Sequence, residues 1–172
     1  QGRLSPIVDG KIQSFPWGNW QNEIISAKSI GLSLMEWTLD QDRLYENPIM
    51  TLGGQQEILD MCKKYEFSIP SLTGDCFMQA PFWKAIDCHE REELKRDFLA
   101  VLMSCSKVGI TLVVVPLVDR GSLEGIDQED LLVEFLLEQE NRVSELGIKI
   151  IFESDFLPSN LHRFILRLNE KN

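Results

Sequence analysis

The sequence has few of the residues that build metal sites and disulfides in small proteins. It contains only two histidines, His89 and His162, and each stands at or near the start of a predicted helix, where a solvated or capping role is expected. The four cysteines form no CxxC pair and match no zinc-finger spacing. These cysteines are Cys62, Cys76, Cys88 and Cys105. We therefore expect reduced thiols, no cysteine–histidine zinc site and a cytoplasmic location.

Basic residues are scarce relative to acidic ones. The 17 lysines and arginines stand against 27 aspartates and glutamates, which gives a net charge of -10. Such a surface repels the phosphates of nucleic acids and the anionic surface of a membrane. No apolar run approaches the roughly 20 residues of a membrane span, and residues 1–4 do not resemble a signal peptide. We expect neither nucleic acid nor a membrane among the partners.

Three common motifs of nucleotide-binding and hydrolytic proteins are also absent. No GxGxxG follows a predicted strand, and there is no phosphate-binding loop of the GxxxxGK[ST] type. The GxSxG turn that carries the nucleophile of α/β-hydrolases is missing as well. The sequence therefore gives no support to a dinucleotide-binding, P-loop or α/β-hydrolase function.

What the sequence does contain is the composition of a folded globular domain. Apolar residues make up 44% and charged residues 26% of the chain, and both values are ordinary for globular proteins. A length of 172 residues is enough for one domain with its own core. We expect residues 1–172 to form a single domain.

Apolar periodicity predicts an alternation of helices and strands. The expected helices cover about residues 20–30, 52–65, 90–107, 128–146 and 160–169. The expected strands cover about residues 32–37, 67–72, 110–115 and 148–152. Pro70 would place the second strand at a sheet edge, and Asp127 is a suitable N-cap for the fourth helix. Alternation at this spacing indicates βαβ units and a parallel sheet.

Acidic residues follow almost every predicted strand. The final strand runs through Ile148, Ile150, Ile151 and Phe152, an apolar run typical of a strand buried on both faces, and ends in Glu153. Parallel strands place their carboxyl ends at one rim, where α/β proteins bind ligands. The rim residues expected here are Glu36, Asp40, Asp75, Asp119, Arg120, Glu153 and Asp155. The alternative for each is a solvated loop charge or a helix cap.

Several short motifs, in order along the chain, resemble one protein family. They are Gly2-Arg3-Leu4-Ser5-Pro6, Phe15-Pro16 before Trp20, Ala27 then Gly31-Leu32, Glu36-Trp37, Phe77-Met78, and Glu153-Ser154-Asp155 before Pro158. Together they are similar to the sugar phosphate isomerase/epimerase family, which belongs to the xylose isomerase-like TIM barrels. The resemblance implies an α/β fold of the (β/α)8 type. This chain would supply a partial barrel, from the end of strand one to helix five.

The resemblance also implies a divalent metal, such as Mn, Mg, Co or Zn. In the family a Glu after strand five, an Asp after six, a His after seven and a Glu after eight hold it. Only Glu153 matches one of these ligands, so the site in this chain would be incomplete. The chain would be a piece of a larger protein or a natural remnant, and we favour the piece. Four strands leave two open edges, so a homo-oligomer is also expected.

The function implied by the resemblance is isomerisation or epimerisation of a sugar or sugar phosphate, by metal-assisted proton transfer through an enediolate. Glu153 would be metal ligand and catalytic acid/base, while Arg3, Glu36, Asp75 and Asp155 would contact the substrate. One alternative is a non-catalytic carbohydrate-binding or regulatory barrel. A second is a DNA-repair enzyme like endonuclease IV. It is disfavoured because the strand ends carry no histidines and the charge is negative.

Overall fold

The computed structural model describes residues 1–7 and 14–169. Its helices are α1 (Trp20–Ser29), α2 (Leu52–Tyr65), α3 (Asp75–Gln79), α4 (Cys88–Lys107), α5 (Ile126–Glu138), α6 (Glu140–Glu145) and α7 (Pro158–Asn169). Its strands are β1 (Leu34–Thr38), β2 (Ser68–Thr73), β3 (Leu112–Leu117) and β4 (Lys149–Ser154). Short 3-10 turns lie in the loops that follow the first three strands. The predicted alternation of helices and strands is confirmed.

The four strands form one sheet in the order β1-β2-β3-β4, and all neighbours are parallel. The predicted parallel α/β sheet, with neighbours in sequence order, is therefore confirmed. Right-handed crossovers between such neighbours place the connecting helices on one face of the sheet. The burial pattern agrees, since Val113 and Val115 of β3 are fully buried while Leu112 and Val114 are only partly buried. One sheet face thus packs on the helices and the other is more open.

Pro70 lies in a central strand, which corrects the expectation of an edge. Strand β2 pairs with β1 on one side and with β3 on the other. The register between β1 and β2 shifts between Leu34↔Ser68 and Glu36↔Ser71, which marks a bulge around Pro70. Because proline has no N–H to donate to a ladder, a bulge lets it remain inside the sheet. Its carbonyl still accepts a hydrogen bond from the Thr111 amide at 3.1 Å.

The predicted fourth helix is divided into α5 and α6 by a break at Gln139. Five consecutive polar residues at positions 138–142 interrupt the apolar stripe, and α6 has no buried side chain. Packing, which supplies most of the stability of short helices, is therefore too weak there to hold one straight helix.

The N-cap of α5 is Gly125, which corrects the expectation of Asp127. Asp127 lies in the first turn of that helix. The side-chain oxygen of Gln128 accepts the Glu124 amide at 2.9 Å.

Two further expectations about burial are wrong. The first helix was predicted from apolar periodicity to extend to residue 30 with its apolar face buried, but it ends at Ser29 and Ile30 is 64% exposed. Strand β4 was expected to be buried on both faces, yet Ile151 is 42% exposed and exposed residues alternate with partly buried ones along the strand. The reason is that Ile151 pairs with Val114 of β3 and so lies on the more open face of the sheet, away from the helices.

The cysteines agree with the expectation of reduced thiols. All four cysteines are free thiols, with Cys76 and Cys105 buried. Burial raises the pKa of both thiols well above that of an exposed cysteine. Over residues 1–7 and 14–169, no helix combines the length and the apolar character that a bilayer crossing requires.

Candidate functional site

Glu36 lies in the middle of β1 and is tied to the neighbouring strand. The hydroxyl of Thr73, the last residue of β2, donates a 2.5 Å hydrogen bond to Oε1 of Glu36. The amino group of Gln1 donates to the Glu36 carbonyl at 3.0 Å, and the Thr38 amide donates to Oε1 of Gln1 at 3.2 Å. The carboxylate of Glu36 is thus held towards β2, whereas its backbone carbonyl faces the outer side of β1, where Gln1 lies.

Asp40 follows β1 and is held by a glutamine from α3. The side-chain amide of Gln79 donates to Oδ1 of Asp40 at 2.7 Å, and its oxygen accepts the Gln41 amide at 2.7 Å. The Phe15 amide adds a longer contact to Oδ2 of Asp40, at 3.4 Å. One side chain therefore joins the exits of β1 and β2 and fixes the position of a carboxylate at the rim.

Asp75 is the first residue of α3 and lies among the other rim carboxylates. Its pKa is raised from 3.8 to about 6, first by burial and then by the negative charges of Asp40, Glu153 and Glu36. This mutual influence means that carboxylates from the exits of β1, β2 and β4 share one region. Burial and these like charges together favour the protonated form of Asp75.

Gly74 allows α3 to approach the sheet closely. Its amide donates to the Val114 carbonyl at 3.0 Å. A Cβ at this position would come within 2.4 Å of the Phe77 ring and 3.0 Å of the Val114 carbonyl oxygen. Any larger residue would push α3 outward, and Asp75 would move with it.

Glu153 lies near the end of β4, opposite Pro116 of β3. It is exposed, and it forms no ion pair or side-chain hydrogen bond with the described residues. Asp155, Asp119 and Arg120 are exposed in the loops that follow β4 and β3. The rim prediction is therefore met most closely by Glu36, Asp40, Asp75 and Glu153, whereas these three loop residues point to no shared contact.

Arg3 is exposed beside the open edge of β1, and it lines the same cleft as Glu36. Its neighbours are fixed by Glu23 of α1, whose carboxylate accepts the amides of Gly2 at 2.8 Å and Leu4 at 3.0 Å. The Gly2-Arg3-Leu4 segment is thus positioned through its backbone, and the guanidinium remains free of ion pairs within the described part of the chain.

Sequence reasoning missed the residues that hold the rim carboxylates in place. Thr73 and Gln79 are neutral polar side chains, and nothing in their local pattern marks them. Glu23 had a signal that could have been used. It is 1% exposed and stands between Trp20 and Ala27 on the apolar face of the first helix, where a carboxylate requires a partner.

No group of three or more His, Cys, Asp or Glu side chains that could hold a metal ion occurs in the described ranges. The carboxylates share a region without converging on one ion-sized position.

No protein-family model matches the chain, and no curated protein matches it significantly. The function must therefore be argued from the geometry of the rim.

Proposed function

We propose that the sheet corresponds to strands two to five of a xylose isomerase-like (β/α)8 barrel, whose rim binds a sugar or sugar phosphate in the cytoplasm. The sequential strand order supports this, because a doubly wound sheet reverses its order at a switch point and a barrel does not. Gln1 supports it as well, since it hydrogen-bonds along the outer side of β1, where the end of strand one would lie.

The activity that fits this rim best is isomerisation or epimerisation by proton transfer next to a carbonyl. The observation that carries the proposal is the gathering of Asp40, Asp75, Glu36 and Glu153 in one region, where burial, followed by the charges of the other three carboxylates, raises the pKa of Asp75 to about 6. A carboxyl group that titrates near neutral pH can both donate and accept a proton at the pH of the cell. In this proposal Glu153 is the exposed base, and Glu36, Asp75, Asp155 and Arg3 contact the substrate.

The residues of this chain do not fit a complete metal site. Within residues 1–7 and 14–169 Glu153 belongs to no group of three or more side chains that could hold an ion. If a divalent metal takes part, the other ligands come from outside the described residues. We therefore assign to Glu153 the role of one ligand and derive no step of the reaction through the metal.

Calorimetry tests the ligand assignment on the chain as it stands. At pH 7, Mn²⁺ should bind the 172-residue chain only weakly, because one carboxylate holds a divalent ion poorly, and no isomerase activity should be measured. The matched control is Glu153→Gln, whose affinity for Mn²⁺ should be as low as that of an unrelated acidic protein. Tight, stoichiometric binding by the unaltered chain would show that the ligand assignment is wrong.

The reaction itself is tested by solvent exchange. In a longer polypeptide that adds strands six to eight to this chain, candidate ketoses in D₂O should incorporate deuterium at the carbon beside the carbonyl. Glu153→Gln should reduce this exchange by about 100-fold or more. Exchange that survives the substitution would remove Glu153 from the reaction.

The second candidate is a carbohydrate-binding barrel without catalysis, and the hydrogen bonds from Thr73 and Gln79 that hold the carboxylates of Glu36 and Asp40 in fixed positions favour it. It predicts saturable sugar binding with no deuterium exchange, with or without added metal. The two candidates are separated by one experiment, because both predict binding and only the isomerase predicts exchange.

A further inference from the structure

A cavity of about 390 Å³ lies beside the rim, between the segment that precedes α1 and the loop that follows β1. Residues 14–19 contribute one part of its lining, and Asp40, Asp42 and Gln79 contribute another. Its volume is within the range of roughly 300–1,000 Å³ that is usual for small-molecule sites. Asp40 is also one of the rim carboxylates, whose charges act on Asp75. The cavity therefore adjoins the region in which substrate binding is proposed.

Two aromatic rings give the cavity a wall that is suited to a cation. Phe15 is buried, and its ring meets the partly exposed ring of Trp17 at 4.9 Å between centroids and an interplanar angle of 76°. The guanidinium of Arg43 lies over the Trp17 ring, at 3.9 Å from the centroid. Because the face of an indole ring is electron-rich, it attracts positive charge. The Trp17 ring is thus already in contact with one cation of the chain itself.

Arg43 does not fill the cavity. Its guanidinium donates to Oε2 of Glu46, from Nε at 2.9 Å and from Nη2 at 2.6 Å, and Arg43 is not part of the cavity lining. No lysine, arginine or histidine of the described chain lines the cavity. The described residues therefore bring no positive charge of their own into it.

The free hydrogen-bonding groups of the cavity are chiefly acceptors. The side-chain amide of Gln79 is engaged with Oδ1 of Asp40 at 2.7 Å, and its oxygen accepts a backbone amide. Oδ2 of Asp40 accepts only a long contact, 3.4 Å from the Phe15 amide. Asp42 is exposed, and it forms no ion pair or side-chain hydrogen bond with the part of the chain that the structure describes. Two negative charges therefore remain available to a ligand.

These groups define the chemistry of the ligand. A ligand that donates hydrogen bonds and carries a positive charge meets free acceptors, and charge-assisted hydrogen bonds are the stronger kind. A primary ammonium group combines three donors with one positive charge. A phosphate would instead place like charge beside Asp40 and Asp42 and would offer acceptors where acceptors already lie.

We propose that this cavity binds the ammonium group of a small ligand, with Asp40 and Asp42 as its acceptors and Trp17 as its aromatic wall. The identity of the whole ligand rests on the proposed function. If the rim binds a sugar, the cavity makes that sugar an amino sugar and not a sugar phosphate. One ligand can contact both regions, because Asp40 belongs to both.

Nuclear magnetic resonance titration of the isotope-labelled 172-residue chain tests the assignment at about pH 6.5. Glucosamine, whose amine is protonated at this pH, should shift the indole N–H signal of Trp17 and the backbone amides of Gly18 and Asn19 until saturation. N-acetylglucosamine keeps the ring but has no charge, and its affinity should be lower by about tenfold or more. Glucose 6-phosphate should leave these signals unchanged. Trp17→Phe removes the indole N–H and so identifies its signal.

A charge variant with a matched control separates recognition from general attraction. Asp42→Asn nearly preserves the shape of the side chain and removes its charge, so the affinity for glucosamine should fall about three- to tenfold, while that for N-acetylglucosamine stays the same. The control Asp60→Asn makes the same change on an exposed residue of α2 and should leave both affinities unchanged. Because Asp42 is exposed as well, both variants should fold, which circular dichroism checks.

Three results would overturn the assignment. They are equal affinities for glucosamine and N-acetylglucosamine, equal losses in Asp42→Asn and Asp60→Asn, and glucosamine-induced shifts that spare Trp17. The readout is binding, so it does not depend on the proposed reaction. Glucosamine binding in this cavity without deuterium exchange in the longer polypeptide would support the cavity and contradict the isomerase. Deuterium exchange on a neutral ketose, with no glucosamine binding, would support the isomerase and contradict the cavity.

Discussion

Two buried glutamates anchor opposite ends of the chain, and they use different partners. Glu23 of α1, 1% exposed, accepts the backbone amides of Gly2 and Leu4. Glu129 of α5, 3% exposed, binds Arg163 through contacts of 2.8 and 2.6 Å. It also accepts Arg167 at 2.6 Å. One end is therefore held by neutral dipoles, and the other by two full charges.

The difference determines what each anchor demands of the sequence. Backbone amides exist at every non-proline position, so the segment held by Glu23 needs no complementary side chain. The segment held by Glu129 needs two arginines one helical turn apart, and α7 supplies them at an i,i+4 spacing. It follows that removing partners should have large effects at Glu129, intermediate effects at Glu23, and small effects at exposed pairs.

The largest effect is expected when Glu129 loses both partners. Arg163→Ala with Arg167→Ala leaves a buried, uncompensated carboxylate, and the free energy of unfolding should fall by about 3–5 kcal/mol. Urea unfolding at pH 7 measures it. Arg120→Ala, at an exposed arginine, is the matched control and should change little. Replacing all three groups of the cluster by leucine should recover most of the loss, and failure to do so would show that packing, not the buried charge, is responsible.

A smaller, local effect is expected at Glu23. Glu23→Ala leaves two amides without an acceptor, and the expected cost is about 1–3 kcal/mol. Glu23→Gln keeps one good acceptor oxygen and should lose less. Hydrogen exchange should show faster exchange at Gly2 and Leu4 while the amides of β3 are unchanged. Equal acceleration in β3 would mean that Glu23 supports the whole core and not the N-terminal segment alone.

The sequence could predict the elements whose position is decided by local burial, and not the features that depend on contacts between elements. Elements with a continuous apolar stripe, such as α2 and β3, were placed to within two residues, because burial of one face decides them. The break at Gln139 and the bulge at Pro70 were missed, since each depends on how neighbouring elements pack. The rim acids could be predicted from strand ends, whereas Gln79 and Thr73 could not, because their role arises only when α3 and β2 meet β1.

Asp75 differs from Glu23 and Glu129 because its side chain accepts no hydrogen bond from the residues that the structure describes. Its pKa is raised from 3.8 to about 6 in the folded chain. The folded state therefore binds the proton more tightly, and the stability that this group contributes is complete below about pH 4 and is lost as the pH rises through 6.

Asp75→Asn should consequently stabilise the protein at pH 7.5 and change little at pH 4. The full shift corresponds to about 3 kcal/mol, and solvent screening of this partly exposed group reduces the expected gain to about 1–2 kcal/mol. Urea unfolding at the two pH values measures it. An equal effect of Asp75→Asn at both pH values would show that the carboxyl does not titrate between them.

The smallest effect is expected at an exposed ion pair with good geometry. Lys84 and Glu124 approach to 2.6 Å, but the Glu124 side chain is 69% exposed. Because both ions remain in contact with water, Glu124→Ala should lower the free energy of unfolding by less than about 1 kcal/mol. The backbone amide of Glu124 keeps its bond to Gln128, so the start of α5 is not disturbed. Adding 0.5 M salt, about the concentration at which exposed pairs are screened, should abolish the difference between the two proteins in urea unfolding. A loss as large as that at Glu129, or one that persists in salt, would mean that contact distance and not burial governs the strength of ion pairs in this fold.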